Sequence, residues 1–375
     1  HQRTSIDCFS ASNIYYFQKS DFLCRPFFRK STTRNSLSEV RKMIRFALFG
    51  AGKIGRMHAA NLAGNKKAEL CWVYDINQAA GDDVASSFGA RSCNCMEEPL
   101  SDPEVDAVLI ATSTDTHASL IVESAKAGKA VFCEKPIDLS LEKVNWCGDQ
   151  IKNHNVPIQI GFNRRFDPSH RKVAQAVQNG EIGTLEQVII TSRDPEPPPK
   201  EYYQVAGGML RDMTIHDFDL ARFVLNEEVE KVTALTATLF DPVAREIGEI
   251  DSAMIIMQTK SGKLCHINNS RHASYGYDQR LEAHGSKGMI RSENHEQTTV
   301  ERFNEQGSSW RDPLPFFFIE RYRQAFLSQL DVFIEALESN KPIQVTFEDG
   351  RKALILANAA YESLESRTTV EVKYN

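Results

Sequence analysis

From Ile44 onward, short apolar runs alternate with stretches whose apolar residues recur at helical spacing. The runs at 44–49, 69–74, 105–112, 130–133 and 158–162 are strand-length and rich in branched and aromatic residues, which predicts β-strands. The stretches 56–62, 77–88, 117–127 and 141–152 between them predict helices. Strand, helix, strand at this spacing builds a doubly wound α/β domain, a parallel sheet with helices on both faces.

Beyond residue 163 the rhythm changes. Segments 185–193, 229–240, 252–259, 264–270 and 279–283 alternate in side-chain character or are rich in Val, Ile and Thr, with tight-turn pairs such as Ser261-Gly262 and Gly285-Ser286 among them. Consecutive strands with short turns predict an α+β domain built on an open, mostly antiparallel sheet. The amphipathic stretch 348–366 predicts a last helix that packs on a domain face or back on the domain interface. Pro195 to Pro199 read as a stiff loop. The expected organisation is a first domain over 43–163 and a second over 164–375.

Residues 1–42 differ from the rest, with eight Lys or Arg against Asp7, Asp21 and Glu39 and no periodic apolar pattern. They are read as an N-terminal extension upstream of Met43, expected to be disordered. An organelle-targeting leader is the less favoured alternative, because the segment lacks a continuous apolar stretch.

Composition narrows the function. A chain of 375 residues is long enough for two compact units, and 41% hydrophobic with 25% charged residues is ordinary globular usage. The net charge of −6, from 44 basic and 50 acidic residues, provides no positive field for a nucleic-acid backbone. No run approaches the roughly 18 apolar residues that cross a bilayer, so a cytoplasmic protein without a membrane partner is expected. The eight cysteines include no C-x-x-C pair, and several lie in apolar strands. They read as buried free thiols of a reducing compartment, with no metal site.

Candidate chemistry begins at residues 46–55, where an apolar strand runs into Gly50-Ala51-Gly52-Lys53-Ile54-Gly55 and then a helix. Gly50 permits the tight turn, Gly52 admits a pyrophosphate and Gly55 lets helix and strand approach, which is the Rossmann fingerprint. Asp75, twenty positions after Gly55 at the end of the next strand, is placed to accept bonds from ribose hydroxyls. Its charge would repel a 2′-phosphate, and neither Ile76 nor Asn77 would neutralise one, so NAD is favoured over NADP. The plainer alternative is a structural turn with Asp75 as a helix cap.

Oxidising an alcohol needs a base for its proton and a donor for the developing alkoxide, both near the nicotinamide. Glu134-Lys135-Pro136 follows a parallel strand, at the edge where ligands sit in such sheets. On a helix Asp212, His216 and Asp219 would share one face. Periodicity alone leaves that strip open as a solvated surface or a catalytic one.

Gly50 to Gly55, Glu134-Lys135-Pro136 and the D-x-x-x-H pair Asp212/His216 together resemble the Gfo/Idh/MocA oxidoreductases, and within them the inositol 2-dehydrogenases. The resemblance runs from about Met43 to near the C-terminus, with closer cues in residues 161–167, 192–195 and 275–279. It implies His216 as general base, Lys135 as the donor that lowers the hydroxyl's pKa, and Asp212 as a group orienting a neighbouring hydroxyl. It also implies that Asn163, Arg164, Asp194 and Tyr277 line a polyol pocket. Thr112, Ser113, Thr114 and His117 would contact the nicotinamide side of NAD, joined by Glu134 and Lys135. The implied reaction is oxidation of myo-inositol to 2-keto-myo-inositol by a homodimer or homotetramer. Asn163 stands where such enzymes commonly have Met, and Ser192 where some have His; both changes are expected in the pocket. Alternatives are another inositol isomer, an aldose, or a non-catalytic dinucleotide-binding regulator.

Overall fold

A computed structural model describes residues 43–375. The extension expected at 1–42 lies outside the described residues. The first half runs β1 (Ile44–Phe49), α1 (Lys53–Ala63), β2 (Ala68–Tyr74), α2 (Gln78–Phe88), β3 (Arg91–Cys93), α3 (Glu97–Ser101), β4 (Ala107–Ile110), α4 (Thr114–Lys126), β5 (Ala130–Cys133), α5 (Leu141–Ile151) and β6 (Ile158–Ile160). These six strands form one parallel sheet in the order β3-β2-β1-β4-β5-β6. The order reverses between β1 and β4, and in sheets of this kind such a reversal leaves a crevice at the carboxyl ends of the strands. Alternate side chains of β1 enter different cores, Phe46 and Leu48 on one face of the sheet and Ala47 and Phe49 on the other.

The second half runs α6 (Pro168–Gln178), β7 (Leu185–Arg193), α7 (Lys200–Ala206), α8 (Met209–Asp212), α9 (Ile215–Leu225), β8 (Val229–Ala237), α10 (Pro242–Ile247), β9 (Ser252–Thr259), β10 (Leu264–Ser270), β11 (Asp278–Gly285), β12 (Gly288–Ser292), β13 (Glu301–Asn304), β14 (Gly307–Arg311), α11 (Phe318–Arg321), α12 (Arg323–Ser339), α13 (Phe347–Ser366) and β15 (Val370–Glu371). Seven strands make a sheet in the order β12-β11-β7-β10-β9-β8-β15, with only β7 and β10 parallel. The mostly antiparallel sheet expected from the sequence is therefore present. One face packs on α6, α9 and α13. The other leaves Ile189, Leu235, Met254 and Ile256 exposed.

Helix α12 is absent from the expectation, although Phe326, Leu330, Phe333 and Ile334 have helical spacing. Its apolar side joins Phe46, Leu48, Leu109 and Phe132, so a late segment of the chain completes the core of the first sheet. Helix α13 likewise reaches β6 and α5 as well as β8. Strand β3 has only three residues, too few for its alternation to be read. No helix among the described residues is long and apolar enough to cross a membrane. The six cysteines among them are all free, and Cys8 and Cys24 lie outside.

Candidate active site

The crevice between β1 and β4 is shaped by backbone. Gly50 has φ 98°, and a Cβ there would collide with the Ala111 carbonyl; one at Gly55 would collide with the Gly50 carbonyl. Only glycine fits either position. Gly52, the N-cap of α1, faces open space and offers no side-chain cap, and no acid occupies the first turn, so the helix end is available to an anion. Asp75 accepts from Ala51 N at 2.6 Å and Asn77 N at 2.7 Å, which ties its carboxylate to the glycine loop. Capping α2 falls to Asn77, so the plainer alternative of Asp75 as that helix cap is not what is seen. These features fit a dinucleotide pyrophosphate with its ribose beside Asp75. Ile54 is half-buried in the first turn of α1, and the Lys53 ammonium lies 3.5 Å from the centre of the Phe317 ring.

Across the crevice, Ser113 is the N-cap of α4, Thr114 is its first residue, and Thr112 bonds Thr116 through their hydroxyls at 2.7 Å. His117 corrects the expectation that it touches the cofactor. Its ring is buried, with Nδ1 2.8 Å from the Pro136 carbonyl and Nε2 3.1 Å from the Thr112 carbonyl. A neutral imidazole carries one N–H, so the ring donates to one of these carbonyls, and His117 packs buried between the two loops.

Lys135 and the Asp212/His216 pair converge from the two halves. The D-x-x-x-H spacing suggested one continuous helix, but the chain breaks at Met213-Thr214 into α8 and α9. In an unbroken helix the Asp212 carbonyl would accept from His216 N. Here His216 N bonds the Met213 carbonyl instead, and the Asp212 carbonyl accepts from Lys135 Nζ at 2.9 Å. The same ammonium lies 3.4 Å from Asp212 Oδ1. Such irregularities inside helices often mark functional sites. Burial pushes the Asp212 carboxyl up, but Lys135 and Arg271 overcome this and hold it below its ordinary pKa.

The His216 ring meets Phe162 edge-on at 5.8 Å, and its Nδ1 is enclosed without a hydrogen-bond partner. Burial first, then the charges of Lys135 and Arg164, hold its pKa well below the ordinary value. The imidazole is therefore neutral near pH 7 and able to accept a proton. Asp219, read as sharing that face, is instead gripped by Arg165 at 2.8 and 2.5 Å and belongs to the structural core.

Of the expected pocket residues, Asn163, Arg164 and Tyr277 are buried, and Arg164 pairs with Asp217. Arg164 acts electrostatically on Asp194, which gathers these positions in one region. Burial pushes the Asp194 carboxyl up to about 6, against the pull of Arg271 and Arg164 and with the push of Asp212 and Asp217. Ser192 is fully buried and donates to Gln279 at 3.0 Å.

Two residues escaped the sequence reading. Arg271, just past the end of β10, bonds Asp212 Oδ2 at 3.1 Å and lies 3.7 Å from Asp194. Tyr202 on α7 donates its hydroxyl to Asp212 Oδ1 at 2.8 Å. Arg271 had one usable signal, a charge at the carboxyl end of a strand; nothing local marks Tyr202.

Comparisons with known proteins agree on the family. Residues 44–162 match the model of the oxidoreductase family with an NAD-binding Rossmann fold, and residues 170–291 match that of the Gfo/Idh/MocA C-terminal domain. The chain is similar to an inositol 2-dehydrogenase of Rhizobium meliloti, 45% identical over 331 residues, 88% of this chain and 99% of that one. It is similar in structure to a myo-inositol dehydrogenase from Corynebacterium glutamicum, with 42% identity, TM-score 0.86, and 88% and 99% of the two chains covered. It is also similar to a scyllo-inositol dehydrogenase from Lactobacillus casei, solved with bound NAD(H) and scyllo-inositol, with 32% identity, TM-score 0.82, and 88% and 99% covered. The chain therefore belongs to the Gfo/Idh/MocA oxidoreductases, enzymes with an NAD-binding Rossmann fold, and its cofactor is NAD.

Proposed function

We propose that this enzyme oxidises one secondary hydroxyl of a cyclic polyol, with myo-inositol as substrate and 2-keto-myo-inositol as product. The observation that supports this is the meeting of Lys135, Asp212 and His216, whose Nδ1 lacks a partner, at the carboxyl edge of β5. The similarity to inositol dehydrogenases supports the substrate class. NAD, held by residues 50–55 and Asp75 with the loops at 112–114 and Glu134, supplies the hydride acceptor.

The protein's own groups handle the proton and the charge. His216 removes the hydroxyl proton, and Lys135 Nζ donates to the same oxygen as negative charge builds on it. Asp212, held by Arg271 and Tyr202, accepts from a neighbouring hydroxyl. Asn163, Arg164, Asp194 and Tyr277 supply further polar groups, and a ring hydroxyl left unmatched by them is penalised. The test follows NADH formation by purified protein with myo-inositol, scyllo-inositol and glucose. Myo-inositol should give the highest kcat/KM; preference for glucose would refute the substrate assignment, and no reduction of NAD by any polyol would favour the regulator alternative.

The pocket also predicts a pH dependence. Above pH 6 Asp194 is ionised and can accept strongly from a substrate hydroxyl; below it, protonation removes that charge. His216 titrates lower, so it does not set this limb. We expect kcat/KM to fall as pH drops through about 6, and the fall to disappear in D194N. An unchanged acid limb in D194N would remove Asp194 from the pocket.

The open sheet face supports self-association through a second copy of this chain. Cross-strand register pairs Leu235 with Met254, and Ile256, two positions on from Met254, is exposed on the same face. The I256D variant should sediment as a smaller species than the parent. Identical sedimentation would place the contact elsewhere.

A further inference from the structure

We propose that His58 is a positioning residue for Lys135: from the dinucleotide helix α1 it grips the Glu134 carboxylate and so fixes the segment that presents the ammonium. The inference rests on the reading of Lys135 given above. The His58 side chain is wholly buried, and its Nε2 lies 2.7 Å from Glu134 Oε1. Phe132 and Phe326 meet the ring edge-on, at 5.5 and 6.1 Å between centroids, which fixes its plane. On the other side, Gly161 keeps the space bare for the carboxylate, since a Cβ there would lie 2.8 Å from Glu134 Oε2. Glu134 N is bonded to the Ile110 carbonyl at 2.9 Å, so backbone and side chain are both anchored.

The residue after Lys135 is held in the same way. The Pro136 carbonyl faces His117 Nδ1 at 2.8 Å, and His117 belongs to α4. Lys135 is thus flanked in sequence by two residues, each bound to a buried imidazole. Both imidazoles come from helices whose N-termini border the crevice between β1 and β4. A hydrogen bond to a charged acceptor is strong for its kind, and burial strengthens it further. Its loss frees the segment to drift, and a shift of about 1 Å at a catalytic group costs on the order of 10²-fold in rate. His58 touches no reacting atom in this scheme. It acts only through Glu134.

The test is a double-mutant cycle on the full chain, with NADH formation from myo-inositol as readout. H58L fills the space but cannot donate to Glu134, whereas the amide of H58Q reaches about where Nε2 stands. We expect H58L to lower kcat about tenfold or more, and H58Q to recover most of that loss. In a K135M background, where no ammonium remains to be positioned, H58L should cost less than about twofold more. Should H58L fail to fold, H58N replaces it, since its amide is too short to reach Glu134. If K135M turns over like the parent, the reading of Lys135 fails and this inference with it. If K135M is impaired but H58L is not, or the two losses multiply in full, the positioning role alone is overturned.

Discussion

Replacing His216 with Ala is expected to lower kcat for myo-inositol by about 10²- to 10⁴-fold, the usual worth of a positioned general base, while NAD affinity stays near that of the parent. The contrast follows from where the ring sits. His216 lies in α9 of the second half, beside Phe162 and under the charge of Lys135, whereas the glycine loop and Asp75 directly follow β1 and β2. An unpartnered Nδ1 does not by itself mark a base, since His58 Nδ1 is also buried without a partner; what sets His216 apart is the charge of Lys135 and Arg164 acting on its ring. Added imidazole should restore part of the lost rate in H216A. Turnover within a few-fold of the parent would remove His216 as the base.

Lys135→Met should cost about 10²- to 10³-fold in kcat, the scale for removing one donor to a developing oxyanion. A second effect separates this role from simple packing. Burial and then Lys135 depress the His216 pKa, so removing the ammonium lets that pKa rise toward its ordinary value. In a D194N background, where Asp194 no longer sets the acid limb, adding K135M should therefore move the remaining limb to higher pH. Asp212 also loses a partner, at 2.9 Å through its carbonyl and 3.4 Å through its carboxylate, and keeps Arg271 and Tyr202. Large loss on K135M without any movement of that limb in the D194N background would mean that Lys135 acts by holding the fold alone.

Much of the architecture was legible because it rests on local repetition. The alternation of apolar runs and helical periods located β1, β2, β4, β5 and β6 to within a few residues, and Gly50 to Gly55 marked the crevice because their spacing is itself the mechanism. What periodicity missed depends on contacts across long stretches of sequence. Helix α12 carries a readable pattern, but nothing local says that it covers a sheet begun at Ile44. The D-x-x-x-H spacing drew attention to Asp212 and His216 while concealing the break at Met213-Thr214, which leaves the Asp212 carbonyl to Lys135. Asp219 fitted the same helical face, yet Arg165, more than fifty residues earlier, claims it. Arg271, Tyr202 and His58 likewise declare themselves only through partners that the fold brings close.

The central claim is that the proton and the hydride leave the same carbinol of a cyclic polyol, the first to His216 and the second to NAD. The most direct measurement supplies the enzyme with NAD and myo-inositol deuterated at the carbon bearing the 2-hydroxyl, and analyses the reduced nicotinamide by mass spectrometry. One deuterium per NADH, with a slowed rate in the deuterated substrate, is the predicted result. NADH formed without deuterium, or no NADH at all, would contradict it.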